Sequence, residues 1–366
     1  MKKAILLPRK YVQGRGVLAE LGAYAKMLGQ KAVVTWGTNT KAALCDTVTT
    51  SLNAAGIGFI DDHFNGECTK EEAQRIAEVA KGADMVIGIG GGKVIDTAKG
   101  AAFYAGLPHI IVPTVASNDS PTSACSVWYD NEGVCVGFDL WPSNPDYILA
   151  DTEVIANAPI RYFIAGVGDA LATWFEAEAS YASRAVTCSG GIPTITAMAM
   201  ARLCFETLME FGLAAIEAVR NHAVTPAVER VVEANILLSG IGWESGGLAT
   251  GHAMGNGLPA LHETHGCLHG EKVAFGLMTQ LCLDDSLSAD LIEETAAFLA
   301  KAGLPVTFAD INIDKIPEGR LREFADGIAG EGSFVHNHNF TATGRDIYDA
   351  MVAADALGRR IKATLA

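Results

Sequence analysis

Four short apolar runs early in the chain constrain its fold more than any other feature: Ala32-Val-Val-Thr-Trp36, Gly58-Phe-Ile60, Met85-Val-Ile-Gly-Ile89 and His109-Ile-Ile-Val112. Helical segments separate them, notably Lys41 to Ala55 and Lys70 to Ala80, the latter opened by a capping box of Thr69 and Glu72. A run that is apolar throughout, rather than on alternate residues, suits a strand covered on both faces. Strands alternating with helices pair in parallel. The expected domain is therefore α/β, with a parallel sheet of the dinucleotide-binding type. A hairpin, Ser126 to Tyr129 and Val134 to Phe138 around Asn131-Glu-Gly133, interrupts the alternation.

After Asp151 the texture changes. Apolar residues recur at helical spacing and strand-like runs disappear, which predicts helices over 161–181, 194–220, 226–238, 271–283, 289–302, 317–329 and 345–364. Pro226 and Pro317 stand where helices begin, a position proline favours. A chain of 366 residues is long for a single core. The division expected is an α/β dinucleotide-binding domain over 1–158 and an all-helical metal and substrate domain over 159–366.

Composition excludes several classes. With 27 basic against 42 acidic residues the formal charge is −15, which opposes binding to nucleic-acid phosphates and docking on anionic membranes. The apolar run after Lys2-Lys3 stops at Pro8, too short for a signal-peptide core, and no stretch reaches the roughly 20 apolar residues of a membrane span. A soluble, cytoplasmic protein is expected. The eight cysteines form no CxxC pair, a pattern of reduced, packing thiols.

Two glycine-rich stretches carry the candidate chemistry. Ile87-Gly-Ile-Gly90-Gly91-Gly92-Lys93 runs from a buried strand into a helix, where backbone N–H groups and the helix dipole face an anion such as a pyrophosphate. The spacing is not GxGxxG, so a plain tight strand-to-helix turn reads equally well from these residues. The second stretch, Ser239 to Gly276, holds His252, His262, His265 and His269. His252 follows a run of small residues and His269 opens an apolar helix. Two neutral imidazoles there could bind one divalent cation, with Asp169 of Gly166-Val-Gly-Asp-Ala-Leu-Ala-Thr-Trp-Phe-Glu-Ala as candidate third ligand. The plainer alternatives are core histidines and an N-capping aspartate. Cys267 is read as packing rather than as a soft ligand, and His265 as a surface-loop residue rather than a general base.

Taken with Gly90-Gly-Gly-Lys93-x-x-Asp96-Thr-Ala-Lys99 and Pro113-Thr114-x-Ala116-Ser117-x-Asp119-x-Pro121, these segments resemble the glycerol dehydrogenases of the iron-containing alcohol dehydrogenase superfamily. The likeness runs in order from Tyr11-Val-Gln-Gly14 to Ala353-Ala-Asp355. It implies a two-domain architecture like that of dehydroquinate synthase, a catalytic Zn2+ on Asp169, His252 and His269, with Fe2+ also suited to that set, and NAD as cofactor. It places Gly92, Lys93 and Asp96 at the pyrophosphate and nicotinamide, beside the cofactor-binding candidates Gly90 and Gly91 of the same turn, and Thr114, Ser117, Ser123, Cys125 and Tyr129 in the cofactor-binding segment. Asp119 would face the substrate hydroxyls, although a turn role fits it as well.

The implied reaction is oxidation of glycerol or a related vicinal diol to a hydroxyketone, the cation stabilising charge on the substrate oxygen in a cleft between the domains. A large homo-oligomer, an octamer in the family, is implied too, with no nucleic-acid or membrane partner. Two positions depart from the family. Trp36 stands where an aspartate usually bonds the adenine ribose, which leaves NADP open and allows an adenine stack instead. Gly255 replaces a common histidine. These departures keep an NADPH-preferring reductase of the same superfamily as an alternative, with a lyase using NAD transiently and a non-catalytic dinucleotide sensor behind it.

Overall fold

The computed structural model describes residues 1–130 and 133–365; Asn131 and Glu132, at the tip of the expected hairpin, lie outside the described residues. The chain divides into two compact units. One comprises Leu6–Phe163 and Glu217–Gly240; the other comprises Met1–Ile5, Ile164–Ile216 and the chain from Ile241 onward.

In the first unit the elements run β1 (Lys10–Gly14), α1 (Leu21–Ala25), β2 (Lys31–Trp36), α2 (Thr38–Ala54), β3 (Gly58–His63), α3 (Lys70–Val79), β4 (Met85–Gly90), α4 (Gly92–Ala105), β5 (His109–Pro113), β6 (Cys125–Tyr129), β7 (Cys135–Leu140), β8 (Tyr147–Asp151) and α5 (Thr152–Ala156). Six strands form a sheet in the order β1-β8-β5-β4-β2-β3, with every neighbouring pair parallel. The four apolar runs are its β2, β3, β4 and β5. Two further strands, β1 and β8, pair with each other and complete it. Buried side chains cover both faces: Val34, Trp36 and Ile87 belong to one apolar cluster, Val33, Val86 and Ile111 to the other. This two-sided burial is why the strands read as continuous apolar runs. The pair β6 and β7 forms a separate antiparallel ribbon.

Later helices are α6 (Ile160–Ser183), α7 (Ile195–Arg220), α8 (Pro226–Glu233), α9 (Ser239–Gly246), α10 (Thr250–Gly257), α11 (His269–Leu283), α12 (Ala289–Ala302), α13 (Glu318–Ile328) and α14 (Gly344–Leu365). The helix expected over 226–238 instead passes through a π-type turn at Ala234–Leu238 and runs into α9. Within the first unit, hydrogen bonds tie that turn to the segment between β5 and β6. Thr122 Oγ donates to the Ile236 carbonyl at 2.7 Å, and the buried Asn235 amide donates to the Ala116 carbonyl at 3.1 Å. Among the described residues no helix is long and apolar enough to cross a membrane.

Candidate active site

Glycine makes the helical site possible by letting backbones touch. A Cβ on Gly270 of α11 would lie 1.9 Å from the Ala165 carbonyl oxygen of α6, and one on Gly276 would lie 2.2 Å from the Gly251 carbonyl oxygen of α10. Only residues without a side chain permit such contact. Helix α11 is therefore held against α6 near its start and against α10 one to two turns later. His269, the first residue of α11, and His252, in the first turn of α10, are brought to Asp169 of α6.

One oxygen of Asp169 and one nitrogen of each histidine lie within 4.8 Å of one another. Asp169 Oδ1 stands 3.5 Å from His252 Nε2 and 3.4 Å from His269 Nε2. Ligands about 2.1 Å from an ion at tetrahedral angles stand about 3.4 Å apart, so these spacings suit a carboxylate and two imidazoles sharing one cation. Asp169 and His252 are buried and His269 is partly exposed, leaving one side of the group accessible. The group does not include Cys267. His265 lies on the surface, with Nε2 at 2.9 Å from the Pro259 carbonyl.

Glu176, which the sequence reading passed over, completes the cluster. It sits two turns after Asp169 on α6, wholly buried, and its Oε2 meets His252 Nδ1 at 2.5 Å. The i, i+7 spacing puts both carboxylates on one helix face, and that spacing was the available signal. Burial pushes His252 toward its neutral form. Glu176 and then Asp169 outweigh burial and hold its pKa well above the ordinary histidine range. For His269 burial prevails over the attraction of Asp169, and its pKa is lowered.

Gly255 has a steric reason for being glycine: a Cβ there would meet Val273 Cγ2 at 2.5 Å where α10 crosses α11. A histidine at this position would force the Val273 side chain to shift.

In the sheet unit, β4 and β5 end level, Gly90 opposite Pro113, and the Thr114 amide donates to the Gly90 carbonyl at 3.0 Å. The turn 90–93 and the segment from Thr114 thus lie side by side at the carboxyl ends of the strands, where open α/β sheets bind ligands. Gly91 caps α4, and Gly92 opens it against the Asn118 amide, which a Cβ would approach to 2.8 Å. Lys93 Nζ lies 2.5 Å from Glu67 and 5.1 Å from the centre of the Tyr129 ring. Ser117 is half-buried, and Ser123 and Cys125 are buried. Asp119 accepts a hydrogen bond from Ser239 Oγ at 2.9 Å.

Two residues expected at the cofactor face inward. The Asp96 carboxylate meets Lys99 Nζ at 2.8 Å, Ser120 Oγ at 2.6 Å and the Val127 amide at 3.0 Å, and so braces the loop. Trp36 is wholly buried, its indole N–H donating to Asp61 at 2.8 Å, and it offers no exposed face for an adenine. Lys99, read in the sequence only as the end of its motif, is almost completely buried as the partner of Asp96.

Residues 8–152 match the iron-containing alcohol dehydrogenase family. Fold, cluster and match together define the class: an oxidoreductase of the alcohol dehydrogenase type. A glycerol dehydrogenase of Escherichia coli is 44% identical over 362 residues, 98% of each chain. One of Pseudomonas putida is 43% identical over 361 residues, 98% of this chain and 99% of that one. The crystal structure of glycerol dehydrogenase from Schizosaccharomyces pombe superposes with a TM-score of 0.95 at 35% identity, covering 100% of this chain and 93% of that one. The chain belongs to the glycerol dehydrogenase family.

Proposed function

We propose that the protein oxidises the secondary hydroxyl of glycerol or a related vicinal diol to a hydroxyketone and passes the hydride to NAD. The observation that carries this is the convergence of Asp169, His252 and His269, in a chain alike along its whole length to proteins named glycerol dehydrogenase. Asp169, His252 and His269 would hold a Zn2+, which when bound would supply Lewis acidity at the substrate oxygen. Asp169 offsets the charge of the cation, and the two imidazoles donate without adding charge. NAD supplies the hydride acceptor. The backbone of Gly90 to Gly92 and the Lys93 ammonium receive its pyrophosphate, with Thr114, Ser117, Ser123, Cys125 and Tyr129 along the same segment. The Asp119 carboxylate accepts a hydrogen bond from a polyol hydroxyl. In this reading residues 1–158 serve the dinucleotide and 159–366 the metal and substrate. Residence in the cytoplasm and assembly as a homo-oligomer belong to the same proposal.

The test is glycerol-dependent reduction of NAD by the purified protein, repeated after chelation and after return of Zn2+, with NADP run in parallel. Activity lost on chelation and restored by the ion is expected. Activity indifferent to chelation would overturn the metal assignment, and no net NADH with any vicinal diol would overturn the reaction.

A further inference from the structure

We infer that Glu176 is a positioning residue that commits His252 to binding metal through Nε2. The inference rests on the proposed cation at Asp169, His252 and His269.

Glu176 is fixed by more than its contact with the imidazole. Its Oε1 accepts from the Ala249 amide at 2.8 Å and from the His252 amide at 2.7 Å, two N–H groups of the first turn of α10 that no helical carbonyl can reach. Oε2 is left for His252 Nδ1. Space for the carboxylate comes from Gly251, where a Cβ would stand 3.1 Å from Glu176 Cδ. One carboxylate therefore anchors both the backbone and the ring of His252.

The chemical consequence concerns the proton. A carboxylate accepts hydrogen bonds and does not donate them, so Nδ1 must carry the hydrogen. In the neutral ring the lone pair then sits on Nε2, the nitrogen that faces Asp169. The ring is thus oriented before a cation arrives, and the proton that a cation displaces is the one on Nε2, facing Asp169, while Nδ1 keeps its hydrogen against Glu176. A carboxylate on the far nitrogen also makes the ligating nitrogen more basic.

Glutamine at this position breaks the arrangement whichever way it turns. It has one acceptor oxygen, and the site asks for acceptors on both the backbone amides and Nδ1. If its NH2 faces Nδ1, it favours the wrong tautomer; if it faces the amides, donors oppose donors.

The experiment compares wild type, Glu176→Gln, Glu176→Asp and Asp169→Asn, each stripped with a chelator and titrated with Zn2+ against a chromophoric competitor. Each is then loaded with Co2+ for its visible spectrum. Glu176→Gln is expected to bind Zn2+ roughly 10–100-fold more weakly, with an altered Co2+ spectrum. Glu176→Asp keeps an acceptor-only group and is expected to fall between Glu176→Gln and wild type. In zinc-loaded wild type labelled with 15N-histidine, the His252 ring should show its proton on Nδ1. Wild-type affinity and spectrum in Glu176→Gln, with Asp169→Asn unable to bind, would overturn this inference and leave the metal site standing. A proton on Nε2 in wild type would overturn it even if the glutamine variant fails to fold. No Zn2+ uptake by wild type would sink the metal reading itself.

Discussion

Asp169 and Glu176, seven residues apart on α6, face opposite nitrogens of one imidazole: Asp169 Oδ1 lies 3.5 Å from His252 Nε2, and Glu176 Oε2 lies 2.5 Å from His252 Nδ1. A single rigid helix thus sets both sides of the ring. Two buried carboxylates this close to two histidines would be costly as bare charges. A cation bound within the group, as proposed, would offset that cost.

Replacing Asp169 by Asn keeps the shape and removes the charge and the hard oxygen donor. The loss in Zn2+ affinity should exceed the roughly 10–100-fold typical of residues that only touch a ligand. Metal per chain after dialysis, measured by inductively coupled plasma mass spectrometry, should drop from near one to a small fraction, and far-UV circular dichroism should stay unchanged. Full metal retention would remove Asp169 from the ligand set.

Gly270→Ala tests whether close helix contact builds the site. The added Cβ would lie 1.9 Å from a backbone oxygen that cannot swing away, so α11 must move off α6 and carry His269 from Asp169. Overpacking of this kind costs about 1–3 kcal/mol. Urea unfolding of the metal-free protein should show that loss, and Zn2+ affinity should fall with it. Gly266→Ala is the control, because nothing lies within 4 Å of a Cβ there. Equal behaviour of the two variants would contradict the packing argument.

Lys99→Met should be among the more destabilising changes in the sheet unit. It leaves the Asp96 carboxylate buried beside Ser120 and Val127 without its ammonium partner, a situation that typically costs about 3–5 kcal/mol. Adding Asp96→Asn removes the stranded charge and should recover part of the loss. Urea midpoints of the two single variants and the double variant decide it: strictly additive losses would mean that the pair is not coupled.

Much of the fold was legible because strands and helices with buried faces leave a periodic trace. The gaps have particular causes. Strand β1, Lys-Tyr-Val-Gln-Gly, is an edge strand without a full apolar face, so it left no such trace. Strand β8, Tyr147–Asp151, is buried at every position and apolar at its first four, and its signal was there to be read. Helices α9 and α10 were missed because glycine lowers helix propensity, and their glycines serve contact between helices. The three-residue site was only one candidate among plainer readings of the residues, and family likeness carried it, since neither histidine stands at i+3 or i+4 from the other. What joins them is the crossing of α10 over α11, which no local spacing encodes. Trp36 could be seen as a departure but not placed, because its indole is spent on Asp61 of the neighbouring strand.

His109 gives the stability a pH dependence of known sign. Its Nε2 is buried without a hydrogen-bond partner, and burial, aided by Lys99 and opposed by Asp146, brings its pKa down to about 4. In the unfolded chain it titrates near the ordinary value of about 6.5. Above that value the ring is neutral in both states and contributes no pH dependence. As the pH falls from about 6.5 toward 4, the unfolded chain takes up the proton and the folded one does not, so stability declines by up to about 3 kcal/mol. His109→Gln abolishes this difference in proton uptake. Urea unfolding of both proteins at several pH values should give a gap that shifts in favour of the variant as the pH drops through this window. A constant gap would show that His109 titrates alike in both states.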